Sequence, residues 1–184
     1  MNALARKPWI WAWIGAVSMW GIIASVSGLG AGAQVMSAAA SFGTFFVIVA
    51  IGQMFVITLG PGNVDLSIPA CMTLSATLAM KFMNGDESLL LVGLLISVGV
   101  GLLIGTLNFL LILLLRIPPI IATLSASFLY QSMAIWSNRG LRVKPPELLG
   151  DFAVAKIFGV PFLTVVTLIL TVAMAYLLHR TRFG

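Results

Sequence analysis

The segment Gly60-Pro61-Gly62-Asn63-Val64-Asp65-Leu66-Ser67-Ile68-Pro69 constrains the fold more than any other part of the chain. It is polar, broken by glycine and proline, and flanked on both sides by apolar sequence. The chain is 60% hydrophobic and 8% charged, whereas a soluble domain carries about 25% charged residues. That balance places it in a bilayer as an all-α polytopic membrane protein. In lipid every backbone N–H and C=O needs an internal partner. A glycine–proline break survives there only where protein buries it or where it lines a cavity. The break therefore points to a pathway or a solute site rather than an anchor.

The apolar segments can be placed on either side of it. Pro8 to Ser27 opens with Trp9, Trp11 and Trp13, the residue type of an interfacial belt. A signal peptide is the rival reading, with Arg6-Lys7 before an apolar core and Ala31-Gly32-Ala33 as the cleavage site. The apolar run is about 20 residues, long for a signal core of 7–15. Ser41 to Leu59 is the second span. Leu66 to Met80 is the third, about 15 residues or roughly 22 Å of helix, short of a bilayer core of about 30 Å. It reads as a short or broken helix after the Gly/Pro turn. Leu89 to Leu115, Pro118 to Trp136 and Val160 to Leu178 bring the expected count to about six segments.

Charge does not orient these spans. With the N-terminus inside, Arg6, Lys7, Arg116, Arg180 and Arg182 are cytoplasmic, and Lys81, Arg139, Arg142, Lys144 and Lys156 are external. The Lys/Arg count ties. The Arg6-Lys7 pair before the first span favours N-inside. The loop from Ser137 to Gly159 then faces outward, mixes charges and carries Pro145-Pro146. On composition alone it reads as a solvated connector.

Two spans carry polar or small-residue patterns. In the fourth, Gly93, Ser97, Gly101 and Gly105 recur at i, i+4 on one face, a spacing that lets helices approach closely. Asn108 lies near that face and can hydrogen-bond across it. The first span has a weaker version in Ser18, Gly21, Ser25 and Gly28. In the fifth, Thr123, Ser127 and Gln131 share a face with Tyr130 beside them. Hydroxyls, amides and an aromatic ring suit a polyhydroxylated solute, and equally suit bonds between helices. Gln53 has the same two readings. With Asn63, Asp65, Ser67 and Asn108, these residues form the candidate substrate pathway.

Asp65 is the one acid near membrane depth. An intramembrane carboxylate suggests proton or ion coupling. Asp65 also stands just before a helix start, where it caps N–H groups and complements the dipole. The cap is preferred, because no second buried acid or basic partner accompanies it.

Other chemistries find no support. The chain has no phosphate-binding glycine loop with a lysine, no paired histidines, and no serine–histidine arrangement within the spans. Cys71 and His179 are each the only residue of their type, so no metal centre or cofactor is expected. The net charge of +5 comes without a basic cluster interleaved with aromatics, so no nucleic-acid partner is expected. The chain is not read as an enzyme.

At this point a family resemblance emerges. Ile51-Gly52-Gln53-Met54-Phe55-Val56-Ile57 leading into Val64-Asp65-Leu66-Ser67 resembles the signature of membrane permeases of ribose-type bacterial ABC sugar importers. Arg116-Ile117-Pro118-Pro119-Ile120-Ile121-Ala122-Thr123-Leu124, followed by Tyr130, resembles a second marker. Val160-Pro161 opening a span that ends in Arg180-Thr181-Arg182-Phe183-Gly184 resembles a third. The turn is longer than the family's usual one and carries Pro61. Asn108-Phe109 stands where Asn-Gly is usual, and Ser132 where glycine is common.

The resemblance implies a permease in the bacterial inner membrane, N-terminus cytoplasmic, translocating a sugar or similar polar solute. It implies an ATP-binding subunit and a second permease chain as partners, membrane lipid around them, and a periplasmic substrate-binding protein docking on the outer loop. The chain, 1–184 as a single transmembrane permease domain, resembles the N-terminal half, without the family's ATPase-coupling loop and later spans. Two alternatives stay open: a proton-coupled carrier using Asp65, or a non-transporting scaffold or fragment.

Overall fold

The computed structural model describes residues 8–140 and 143–180. Arg6, Lys7, Arg142 and the residues from Thr181 to Gly184, invoked above for orientation and for the third marker, lie outside the described residues. Helices dominate: α1 (Pro8–Ser27), α2 (Leu29–Thr58), α3 (Ile68–Met83), α4 (Leu90–Leu115), α5 (Pro119–Asn138), α6 (Glu147–Val154) and α7 (Phe162–Arg180). A two-stranded hairpin, β1 (Lys156–Ile157) and β2 (Val160–Pro161), joins α6 to α7. Among the described residues five helical stretches are long and apolar enough to cross a membrane, and α3 is a shorter apolar helix. The expected all-α polytopic architecture with a short third helix is therefore present.

Two differences from the sequence reading have simple causes. α2 begins at Leu29 rather than near Ser41, and its 30 residues span ~45 Å. The alanine- and glycine-rich stretch before Ser41 reads as a connector, yet alanine is the strongest helix former. Ala31-Gly32-Ala33, the cleavage-site motif, lies inside this helix. The loop after Ser137 is also more than a connector, since it holds α6 and the hairpin.

The helices fall into two groups. α3, α4 and α5 pack on one another and hold the apolar core of Ala70, Leu74, Ile104, Ala126, Tyr130 and Ala134. α2 packs on α1 and on α7. α1 and α2 are joined at Gly28, whose φ of +86° suits glycine. The Trp20 indole N–H there donates to the Gly32 carbonyl at 3.0 Å. A Cβ on Gly32 would lie 3.0 Å from that of Ala24, so this contact depends on glycine. Between α2 and α7 the hydroxyls of Thr44 and Thr164 lie 3.2 Å apart, and Thr164 donates to the Ala40 carbonyl at 3.1 Å.

At one end, α6 bridges the two groups. Its Leu148 N–H donates to Glu87 in the turn between α3 and α4, at 3.1 Å. Its Phe152 ring meets Phe162 of α7 edge-on, with centroids 5.2 Å apart. Beside Glu87, the Ser88 hydroxyl and N–H both donate to Asp86, which holds that carboxyl below the usual range.

Candidate functional site: a buried polar hub at the helix break

Helix α3 is 16 residues long and α4 is 26, or ~24 Å against ~39 Å. They pair from the Asp86 end, where Met83 fills the space beside Gly93. α3 therefore runs out before α4 does. Its start faces Asn108, which stands ~10 Å from the end of α4 at Leu115. The break between α2 and α3 is thus held at depth, against the side of the bundle.

Its backbone is made by local chemistry. Gly62, at φ +83°, takes a conformation that suits glycine, and the Asn63 N–H donates back to the Gly60 carbonyl at 3.3 Å. Asp65 then opens the turn into α3. Its Oδ1 accepts both the Ser67 N–H at 2.8 Å and the Ser67 hydroxyl at 2.6 Å. This is an Asx turn closed on Ser67, the residue that precedes α3, rather than the cap on that helix expected from the sequence. Pro69 follows in the first turn of α3, where its missing N–H costs no helical bond.

From Ser67 a relay runs across three helices. Asn108 Nδ2 on α4 donates to Ser67 Oγ at 2.7 Å, and the Tyr130 hydroxyl on α5 donates to Asn108 Oδ1 at 3.0 Å. Each donor points toward Asp65: Tyr130 to Asn108, Asn108 to Ser67, Ser67 to the carboxylate. Such a one-way chain polarises along its length, and it ends on the Asp65 Oδ1 acceptor. Ser67, Asn108 and Tyr130 are each at least 96% buried. Thr123 clamps the other side of the turn. Its hydroxyl accepts the Leu66 N–H at 3.0 Å and donates to its own helix at the Pro119 carbonyl, 2.9 Å away. Gln53 on α2 closes the ring by accepting the Asp65 N–H at 3.3 Å. Its Nε2 is the one buried side-chain polar atom among the described residues without a partner.

The structure thus brings together Gln53, Asp65, Ser67, Asn108, Thr123 and Tyr130. Asn63 sits half-buried in the preceding turn. Ser127 and Gln131 lie apart from the hub. The face of α5 that packs inward is Thr123, Ala126, Tyr130 and Ala134, whereas Ser127 donates to the Leu124 carbonyl and Gln131 is exposed. The small-residue face of α4 divides likewise. A Cβ on Gly93 would overlap the Met83 side chain, but Gly101 and Gly105 face open space. Ser97 donates to the Gly93 carbonyl at 3.1 Å. The inward face of α4 continues instead through Val100, Ile104 and Asn108. Alanines at 122, 126 and 134, interleaved with Thr123 and Tyr130, were the available signal for the true packing face of α5. Among the described residues no acidic, histidine or cysteine cluster could hold a metal ion.

Comparison with known proteins places this architecture. The autoinducer 2 import system permease protein LsrC of Escherichia coli O9:H4 (strain HS) is 30% identical over 152 residues, 82% of this chain and 44% of that protein. The protein of the same name from Enterobacter sp. (strain 638) is 26% identical over 185 residues, covering 100% of this chain and 53% of its own length. That of Salmonella paratyphi B (strain ATCC BAA-1250 / SPB7) is 29% identical over 152 residues, 82% of this chain and 43% of the relative. The chain spans about half the length of these curated relatives. No solved structure matches it significantly. The family described as branched-chain amino acid transport system / permease component matches residues 35–184, which include the hub and all of its donors and acceptors. The chain belongs to that permease family.

Proposed function

We propose that this chain is a transmembrane permease component of an ATP-binding-cassette importer, translocating a sugar or similar polar solute across the bacterial inner membrane. One observation carries the reading: in a chain of a permease family, polar side chains from three helices converge on a non-helical turn held at membrane depth. Irregular backbone at that depth is the usual setting of a transport site. The hub residues spend their hydrogen-bonding capacity on one another, so their role is to hold the break in shape. Gln53 Nε2 is the donor left over, and it is the group we assign to a solute oxygen or a bridging water. Asn63, Ser127 and Gln131 are secondary pathway candidates. The relatives are named as permeases of autoinducer 2 import systems, a precedent for import as the direction of transport.

In this reading the N-terminus is cytoplasmic. The energy comes from an ATP-binding subunit, a second permease chain completes the pathway, and a periplasmic substrate-binding protein docks on the α6 side. Asp65 acts by closing the turn into α3. The proton-carrier alternative is disfavoured because both bonds to Asp65 Oδ1 come from Ser67, and among the described residues no basic side chain is bonded to it. The test is solute uptake in cells whose partner ATPase is active or inactivated. Uptake should vanish with the inactive ATPase. Equal uptake in both, abolished by collapsing the proton gradient, would overturn the reading in favour of the carrier.

A further inference from the structure

The hairpin between α6 and α7 carries a residue that neither its turn nor its surroundings would select. Lys156 pairs with Pro161 and Ile157 with Val160, which leaves Phe158-Gly159 as a two-residue turn. Both turn residues have positive φ, +50° and +83°. That is the conformation of a tight hairpin turn of the primed type, whose preferred first residue is asparagine or aspartate. A bulky phenylalanine there is strained. It is also fully solvent-exposed, so no protein contact compensates for it. Strain maintained without packing marks a position selected for something outside the fold.

Geometry names the neighbour. Phe158 stands four residues before Phe162, the first residue of α7, so its backbone lies within ~14 Å of that helix start. α7 has 19 residues, or ~28 Å of apolar helix, which matches a bilayer core of about 30 Å. The Phe162 N–H donates to the Ala155 carbonyl at 2.8 Å, which ties the base of the hairpin to the helix end. The tip is therefore confined near the boundary between hydrocarbon and headgroups. Around it Ile157, Val160 and Val154 are exposed apolar side chains, and Trp136 is exposed in the last turn of α5, at the same end of the bundle. The charged residue nearest the tip along the chain is Lys156, also exposed. An aromatic tip with a flanking lysine has the chemistry of the lipid interface: apolar ring below, cation at the phosphates.

We propose that the α6–hairpin element is an interfacial anchor, with Phe158 inserted into the phospholipid headgroup region of the same membrane. The occupant of the hairpin tip is lipid, which leaves α6 itself to the binding protein and fixes that helix in height above the ends of α3 and α4. The inference does not depend on the solute or on the energy source.

The test uses the full chain in nanodiscs of phosphatidylethanolamine and phosphatidylglycerol. A nitroxide label is placed at position 158 (Phe158→Cys in a Cys71→Ser background) or, for comparison, at exposed position 147 (Glu147→Cys). Relaxation by oxygen, which partitions into lipid, is compared with relaxation by a water-soluble nickel chelate. The label at 158 should favour oxygen several-fold more than the label at 147. A second measurement separates insertion from folding. Phe158→Asn suits the turn, so the melting temperature in detergent should hold or rise. In nanodiscs a label at neighbouring position 157 (Ile157→Cys) should become more accessible to the chelate. Equal chelate access at 158 and 147 overturns the proposal. So does a melting temperature that falls with Phe158→Asn, or a label at 157 that does not respond to it. A label at 158 that is chelate-accessible until a soluble binding protein is added would reassign the tip to protein docking.

Discussion

In the α3–α4–α5 bundle the buried groups at the helix break bond one another across helices, while its outlying hydroxyls, such as Thr77, Ser97, Thr106 and Ser132, bond back within their own helix. In the α1–α2–α7 layer most hydroxyls complete their bonds at home. Asn108 reaches Ser67 and receives Tyr130, across three helices. Ser41, Thr44, Thr167 and Thr171 each donate to a carbonyl one turn back in their own helix. Thr164 is the exception, crossing to Ala40. The difference matters because apolar burial gives helices little reason to associate in lipid. Directed bonds and close approach remain as the sources of specificity. The bundle uses both, and it alone contains the apolar core. The layer relies on a few close contacts such as Gly32 against Ala24.

This contrast can be broken most directly at Asn108. Asn108→Leu removes two hydrogen bonds and leaves the Ser67 and Tyr130 hydroxyls short of partners, at an expected cost of about 2–3 kcal/mol. Thermal unfolding in detergent should show that loss, whereas Thr44→Val should change little. Equal losses from the two variants would mean that the bundle is not specially held by its hub.

Gly93 comes next. Gly93→Val should cost about 1–3 kcal/mol through overlap with Met83. Gly101→Ala on the same helix should stay within about 0.5 kcal/mol for this chain alone. A comparable destabilisation at Gly101 would show that the stripe of small residues acts as a unit.

Asp65 sharpens the picture further. Both bonds it accepts fall on a single oxygen, which an asparagine carboxamide can reproduce. Asp65→Ala should therefore cost about 1–2 kcal/mol and Asp65→Asn a few tenths, with uptake following stability. Were uptake lost in the asparagine variant while its melting temperature stayed normal, the charge itself would be functional. The smallest effect belongs to the layer. Thr164→Val should cost about 0.6 kcal/mol, the average for a bond between membrane helices, and Thr171→Val less. Double variants of Thr164 and Asn108 should be additive, since the hydrogen-bonded pairs involving the two residues share no partner.

Much of this is legible in the sequence itself. The helix break, the short third helix and the polar residues of the hub follow from Gly60, Pro61, Gly62 and the isolated Asn108 in an otherwise apolar span. Composition forces each such group to find a partner. What the chain does not advertise is which partner. Ser127 and Gln131 share the fifth span's polar stripe with Thr123, but a helical face is chosen by the neighbour that packs on it. Here the alanines at 126 and 134 let α3 approach and turned Ser127 away. The reach of α2 back to Leu29 was hidden for the same reason, because small residues are neutral until something packs against Gly32. The hairpin was invisible because Phe158-Gly159 is not the pair that announces a primed turn.

The order in which the hub's parts lie along the chain has a consequence for biogenesis. Ser67, Asn108 and Tyr130 are brought together across sequence separations of 41 and 22 residues. A helix of 16 residues with an aspartate ahead of it is a poor candidate for independent, stable partitioning into the bilayer. Synthesis at roughly 5–20 residues per second leaves several seconds between the emergence of Ser67 and that of Tyr130. During that interval α3 must be retained by the insertion machinery or wait at the surface. Nascent chains arrested after Leu115 should then leave α3 extractable from the membrane, and chains arrested beyond Asn138 should not. The hub, in that sense, acts as a latch that closes late and makes one helix's residence in the membrane conditional on two that follow it.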